Sequence, residues 1–178
     1  MHKENGHPKV IYTLDHWSGQ TDSELYQGLK DDIQIEFVPE KTTSTCQPLD
    51  VYFNRQMKYL TRKIYNYAMV HGNYLGKSEK LTDRNSIIKI QSLVHFTLSA
   101  PVFRDMIRHS FFKAGYTAEK TLCLNVYTIC FKVTRTSCNF EICNALPFII
   151  CSWCREEICF DHFLMDYHVM FCSKGPYC

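Results

Sequence analysis

No run of apolar residues in this 178-residue chain approaches the roughly 20 needed to span a bilayer. The first residues, Met1-His2-Lys3-Glu4-Asn5, lack the apolar stretch of a secretory signal. A soluble intracellular protein is the expectation, with neither a membrane nor a small-molecule substrate as partner. No internal repeat and no low-complexity tract is visible. Cysteine is almost absent from the first 120 residues, where Cys46 stands alone. What is present is 46% hydrophobic and 14% aromatic, enough for one ordinary core with a small satellite and unlike a disordered tail.

The net charge of +2 conceals an asymmetry. Residues 1–50 carry 4 Lys/Arg against 9 Asp/Glu, residues 51–116 carry 11 against 3, and residues 117–178 carry 5 against 6. The middle is therefore basic by +8, an excess that suits a polyanionic partner such as nucleic acid. Long solvated helices carry similar charge, so both readings stand.

Lys9-Val10-Ile11-Tyr12-Thr13-Leu14 is β-branched and aromatic and reads as a buried strand ending at Asp15. After the turn at Trp17-Ser18-Gly19, Thr21 or Asp22 can cap a short helix running to about Leu29. Ile33-Gln34-Ile35-Glu36-Phe37-Val38 then alternates as a second strand and stops at Pro39. A strand, helix, strand unit of this kind pairs in parallel through a right-handed crossover, which puts both strand ends on one edge of the sheet. From Pro48 a helix is expected, with Phe53, Met57, Leu60, Ile64 and Tyr67 on its buried face and Arg55, Lys58 and Arg62 on the opposite one. His71-Gly72-Asn73 and Gly76 end it. Asp83 is a cap for the next helix, from Ser86 to about Leu98, and Ser99 before Pro101 for another running to Gly115.

Nine of the ten cysteines lie between Cys123 and Cys178, which marks one compact module. Cys138-x4-Cys143-x7-Cys151-x2-Cys154-x4-Cys159-x2-His162-x5-His168-x3-Cys172 provides eight ligands in four pairs. Tetrahedral zinc takes four such ligands, and closely spaced pairs are natural chelating turns. Alternating use of the pairs gives one ion to Cys138, Cys143, Cys159 and His162 and a second to Cys151, Cys154, His168 and Cys172. Whether one ion or two is held stays open, as do two competing readings: disulfides, which need an oxidising compartment, and buried thiols packed as small hydrophobes. The metal's role would be structural, because every ligand position is filled and about 40 residues hold little core. Cys46, Cys123, Cys130 and Cys178 fit no pair and are read as free thiols.

Asp15 lies just past the first strand and Asp50 in the first turn of the helix after the second, with 34 residues between them. Taken alone, each has an ordinary explanation: a turn residue for Asp15, and a helix amino-terminal acid for Asp50.

The segment Phe37-Val38-Pro39-Glu40-Lys41-Thr42-Thr43-Ser44-Thr45-Cys46-Gln47-Pro48-Leu49-Asp50-Val51 resembles the strand, Pro, Thr-Thr-Ser and Gln-Pro-Leu-Asp phrase of pogo, Tigger and related mariner-like DDE transposases. The resemblance covers roughly residues 8 to 116. It implies a partial ribonuclease-H-like α/β domain, with Asp15 and Asp50 as the second and third catalytic carboxylates. Such carboxylates hold two Mg²⁺ or Mn²⁺ ions about 3.5–4 Å apart for phosphodiester cleavage and strand transfer. It further implies double-stranded DNA as partner, with Arg55, Lys58 and Arg62 on backbone phosphates, a second copy of the chain as a candidate partner, and a nuclear location. The family's first aspartate lies on a strand upstream of Met1, so little autonomous nuclease activity is expected. The core of the cysteine region, Cys-x2-Cys-x4-Cys-x2-His-x5-His, is similar to the cross-braced zinc module that ends piggyBac-type transposases.

The domain organisation expected is thus a carboxy-terminal half of a DDE endonuclease domain over 1–118, a linker over 119–137 and a Cys/His zinc module over 138–178. Two alternatives of a different class remain: a domesticated, non-enzymatic DNA- or chromatin-binding zinc protein, and a zinc adaptor of the ubiquitin-ligase kind.

Overall fold

The computed structural model describes residues 10–26, 33–71 and 83–176. Strands β1 (Val10–Leu14) and β2 (Ile33–Phe37) pair in parallel, Val10 opposite Ile33 and Leu14 opposite Phe37. The pairing is prolonged by the amide of Val38, which donates to the carbonyl of Leu14 at 2.8 Å. Both strands therefore end side by side, and Asp15 follows directly at that edge. Between them Asp22 accepts from the amide of Glu24 and starts a 3₁₀ turn over Ser23–Tyr26, shorter than the helix expected. The rest of that expected helix, the residues before Val10, the breaker residues Gly72, Asn73 and Gly76, and Cys178 lie outside the described residues.

The expectation of a buried first strand is corrected. Val10, Ile11 and Tyr12 are 44%, 62% and 57% exposed, because among the described residues no third strand joins the two-stranded sheet to cover its outer edge and faces.

A short helix α1 (Thr43–Cys46) is followed by a wide π turn over Leu49–Phe53, which closes with the amide of Asn54 donating to the carbonyl of Leu49. Helix α2 (Asn54–Val70) continues from it. The apolar spacing produces the expected face: Leu60, Ile64 and Ala68 are buried and Phe53, Met57 and Tyr67 partly so, while Arg55, Lys58 and Arg62 are exposed. Asp83 caps α3 (Arg84–Leu98), accepting from the amides of Asn85 and Ser86. Ser99 does not cap the next helix as expected. Its hydroxyl turns back to the carbonyl of His95 at 2.8 Å, and Ala100 precedes the 3₁₀ turn Pro101–Phe103 that leads into α4 (Arg104–Lys113). A serine at the end of one helix has free carbonyls within reach before it has free amides of the following turn.

The end of α4 is a Schellman cap. Gly115 takes φ +82, Tyr116 N–H donates to the Phe111 carbonyl at 3.0 Å, and the Phe111 and Tyr116 rings meet at 6.0 Å.

Residues 119–137, expected to be a linker, contain α5 (Val126–Cys130), capped by Asn125. Its Val126, Ile129 and Cys130 are buried in the same core as Leu60 and Leu93. That core continues without a break into Ile149, Ile158, Phe160 and Phe163 of the cysteine-rich region. There, β3 (Ile149–Ile150) and β4 (Glu157–Ile158) form a two-residue antiparallel hairpin whose tip carries Cys151 and Cys154. Secondary structure is mixed, with many helices and little strand. No single helix among the described residues is long and apolar enough to cross a membrane.

Candidate metal centre

The hairpin places Cys159 directly after β4, and the amide of Cys159 donates to the sulfur of Cys138 at 3.3 Å. A π turn over Asp161–Met165 then swings His162 back, so that its Nδ1 lies 3.3 Å from Cys138 Sγ and 3.2 Å from Cys159 Sγ. Cys143 Sγ completes the group at 3.9 Å from Cys159 Sγ. Phe140 stacks on the His162 ring at 4.2 Å, and Asp166 stands 3.7 Å from His162 Nε2, where a carboxylate helps fix the orientation of a metal-binding imidazole.

The second group is fully buried. Cys151 and Cys154 sit at the hairpin tip, where Arg155 adopts φ +68 and donates its amide to the carbonyl of Cys151. Cys154 Sγ lies 3.5 Å from His168 Nε2, and Cys151 Sγ lies 3.8 Å from Cys172 Sγ.

In each group one atom from each of four residues lies within 4.8 Å of the others: Cys138, Cys143, Cys159 and His162 in one, Cys151, Cys154, His168 and Cys172 in the other. Zinc–sulfur bonds of about 2.3 Å and zinc–nitrogen bonds of about 2.05 Å in a tetrahedron put sulfurs about 3.8 Å apart and sulfur and nitrogen about 3.6 Å apart. The separations found match those edges, slightly short at His162. The donor set fits zinc: soft thiols and imidazole, four per group, with no carboxylate among them. Nδ1 of His168 is buried without a hydrogen-bond partner, so the ring offers Nε2 to the group and leaves its other nitrogen bare. Chain order interleaves the two, the first and third ligand pairs serving one group and the second and fourth the other, which cross-braces the fold.

The protein prepares one acidic thiol in each group. Burial opposes ionisation of Cys138, but the amides of Phe140 and Cys159 and the ring of His162 outweigh it and hold the thiol below its ordinary range. Cys154 is held down to about 4, chiefly by the hydrogen bond from Cys151 and against its burial, with His168 adding to it. Cys151, the donor in that pair, is pushed up correspondingly, and Cys159 is pushed up to about 12 by burial and by its thiol neighbours. Cys130 is pushed up to about 12 by burial and stays a neutral core thiol outside both groups. Cys46 and Cys123 also lie outside them.

Asp15 and Asp50 belong to neither group. Asp15 accepts from the amide of His16 at 2.9 Å, and the exposed Asp50 accepts from Asn54 at 2.6 Å within its own helical turn. Among the described residues neither Asp15 nor Asp50 belongs to a group of three or more possible metal ligands.

Sequence reasoning missed several supports of the Cys/His region. Glu157 in β4 accepts from the amides of Thr134 and Arg135 and from the Thr134 hydroxyl, all within 2.9 Å. Ser152 donates to the Thr97 carbonyl, Lys89 to the Met165 carbonyl, and the Ser92 and Tyr167 hydroxyls meet. Nothing in local spacing marks these residues, because their partners lie 22 to 76 positions away in the chain.

Residues 111–172 match the family model of the Tc5 transposase C-terminal domain. The match begins in the last turn of α4 and ends on Cys172, so it contains every residue of both Cys/His groups. Over that stretch the chain is similar to transposases. This transposase-related region spans about a third of the 178 residues. No curated protein and no solved structure matches the chain.

Proposed function

We propose that the chain is a DNA-binding portion of a DDE-type transposase, with the two Cys/His groups each holding a structural zinc ion. The observation that carries this is the face of α2. Arg55, Lys58 and Arg62 are exposed along one side of the helix, while the other side is packed into the core that also anchors the transposase-related Cys/His region. A rigidly docked helix with cations at helical spacing presents a fixed row of charge to backbone phosphates. The nuclear location expected from sequence goes with this reading, as does pairing with a second copy of the chain.

The resemblance to pogo, Tigger and mariner-like enzymes assigns Asp15 and Asp50 to a Mg²⁺ or Mn²⁺ site in a ribonuclease-H-like sheet. In support, the parallel β1–β2 pair ends with Asp15 at the sheet edge where both strands stop, and Asp50 lies in the first turn of the π segment that leads into α2. Two-metal chemistry needs further carboxylates beside these two. Since none gathers there among the described residues, a second reading is kept: a non-enzymatic DNA- or chromatin-binding zinc protein that retains the helix face and the metal module.

Fluorescence anisotropy with duplex DNA over a salt series tests the DNA reading. Binding should weaken steeply with salt, and the Arg55→Ala/Lys58→Ala/Arg62→Ala variant should flatten the slope of log K against log salt by about 2 to 3. No binding at low salt, or an unchanged slope in the variant, would discard it. Cleavage of a phosphodiester substrate in Mg²⁺ that is lost in Asp15→Asn and Asp50→Asn separates the enzyme from the adaptor.

A further inference from the structure

Beside the cationic row of α2 lies an open cleft of about 530 Å³ whose walls come from α2, α5, the residues just after them, and Phe148 before β3. Its volume is in the range of small-ligand sites. Tyr59, Tyr127, Phe131 and other rings line it, together with Arg62, Lys63 and Asn66, and among the described residues no acidic one does. The rings are held at fixed angles: Tyr59 meets Phe131 edge-on at 6.0 Å. The ammonium of Lys63 stands over both, 5.7 Å from the Tyr59 centroid and 5.9 Å from that of Phe131. Neither Arg62 nor Lys63 has a carboxylate partner among the described residues. Tyr127 is 49% exposed at the rim.

We propose that this cleft takes one unpaired nucleobase, stacked on its aromatic wall, with the adjoining phosphate on Arg62 and Lys63. The physical case has three parts. Flat aromatic walls gain most from a flat, polarisable ligand, and bases stack on them regardless of sequence. Two cations with no carboxylate partner and no acid beside them among the described residues call for an anion joined to that flat ring. Asn66 carries both a donor and an acceptor, which suits the edge of a base. A duplex keeps its bases stacked on one another and offers the cleft only phosphates, so the ring-lined wall favours a base at a frayed end, a nick or a single strand. The proposal rests on the DNA reading of α2, because Arg62 belongs both to that row and to the cleft.

The ligand chemistry is shared by a free nucleotide and by an unpaired position within DNA, so three probes are needed with the zinc-loaded full chain. They are an eight-nucleotide single strand carrying one central 2-aminopurine, a blunt duplex of the same sequence, and 2-aminopurine deoxynucleoside monophosphate alone. The single strand should bind with a change in 2-aminopurine emission, and Tyr127→Ala should weaken it by roughly five- to a hundredfold. The same variant should leave the duplex affinity and the thermal midpoint unchanged, since Tyr127 stands at the rim. Lys63→Ala should weaken the single strand and reduce its salt dependence. Single-strand binding that Tyr127→Ala leaves intact, or a strand that binds with no emission change, overturns the proposal while duplex binding can still stand. Loss of duplex binding alone, with the single strand retained, overturns the duplex reading and not this one. Tighter binding of the monophosphate than of the strand assigns the cleft to a free nucleotide, and failure of both the strand and the monophosphate rejects a nucleobase altogether.

Discussion

Trp153 donates its indole N–H to the main-chain carbonyl of Phe96 at 2.7 Å, and the two rings stack at 5.8 Å. Trp153 lies between Cys151 and Cys154, so the knuckle of the buried Cys/His group is fastened to the end of α3. Tyr67 of α2 stacks on Phe160, next to Cys159, at 4.6 Å, fastening the other group to α2. The two Cys/His groups and the helices therefore share one core.

The first prediction is that chelation melts more than the metal region. Structural zinc contributes on the order of 10 kcal/mol to small zinc domains, and one continuous core transmits its loss. With a chelator present, helical circular dichroism and Trp153 emission should change in a single transition whose midpoint is lower by more than roughly 10 °C. A helical signal that survives at its original midpoint after the metal has gone would show two independent units.

Stoichiometry provides the second prediction. The purified chain should carry two zinc ions, measured by metal release. His162→Ala or Cys138→Ser should retain one, and Cys154→Ser should likewise retain one, while Cys46→Ser and Cys130→Ala retain both. Replacing Cys138 and Cys154 together should leave none. A single ion in the parent, or loss of both ions from every single variant in a protein that keeps its helical spectrum, would sink the two-centre arrangement.

The pairing of Cys138 and Cys143 with Cys159 and His162 was legible in the sequence because short ligand spacings are local, and alternation is the arrangement that interlocks four such pairs. The buried face of α2 and the Asp83 cap were legible for the same reason, since both depend on neighbours within one turn. What could not be read depends on distant partners. The exposure of Ile11 and Tyr12 depends on which strands join β1, and a β-branched run is written alike for a central strand and for this one. The burial of α5 depends on α2 and the hairpin closing over it, while its own few residues carry too little periodicity to announce a core helix. Ser99 satisfied a cap pattern forward of it and a carbonyl behind it, and only the path of the chain decides between them.

A third prediction concerns acid. The Asp83 carboxyl is held below its usual range, first by the Ser86 hydroxyl and then by the Ser86 amide. A group whose pKa is depressed on folding adds stability above its unfolded pKa and loses that contribution as pH falls through the folded value. Asp83→Asn, which keeps an acceptor but no charge, should therefore melt below the parent at neutral pH, and the gap should narrow as pH falls below about 4. Thermal melts of both proteins from pH 7 to pH 3 check this, and a gap that widens on acidification contradicts it.

The last prediction concerns Ile142, at the tip of the loop between Cys138 and Cys143. It is 100% exposed and takes φ +65, a left-handed conformation in which a β-branched side chain crowds its own carbonyl. No burial offsets that crowding, so the residue costs stability of about 1 kcal/mol with nothing in the folded chain to recover it. Asn tolerates the left-handed region without the full entropy cost of Gly. Ile142→Asn should accordingly raise stability by about 1 kcal/mol in a denaturant titration, with zinc content unchanged. If Ile142→Asn instead lowers stability, the side chain makes contacts that its full exposure denies; if it stabilises the chain and weakens DNA binding, the apolar tip is held in place for contact with DNA.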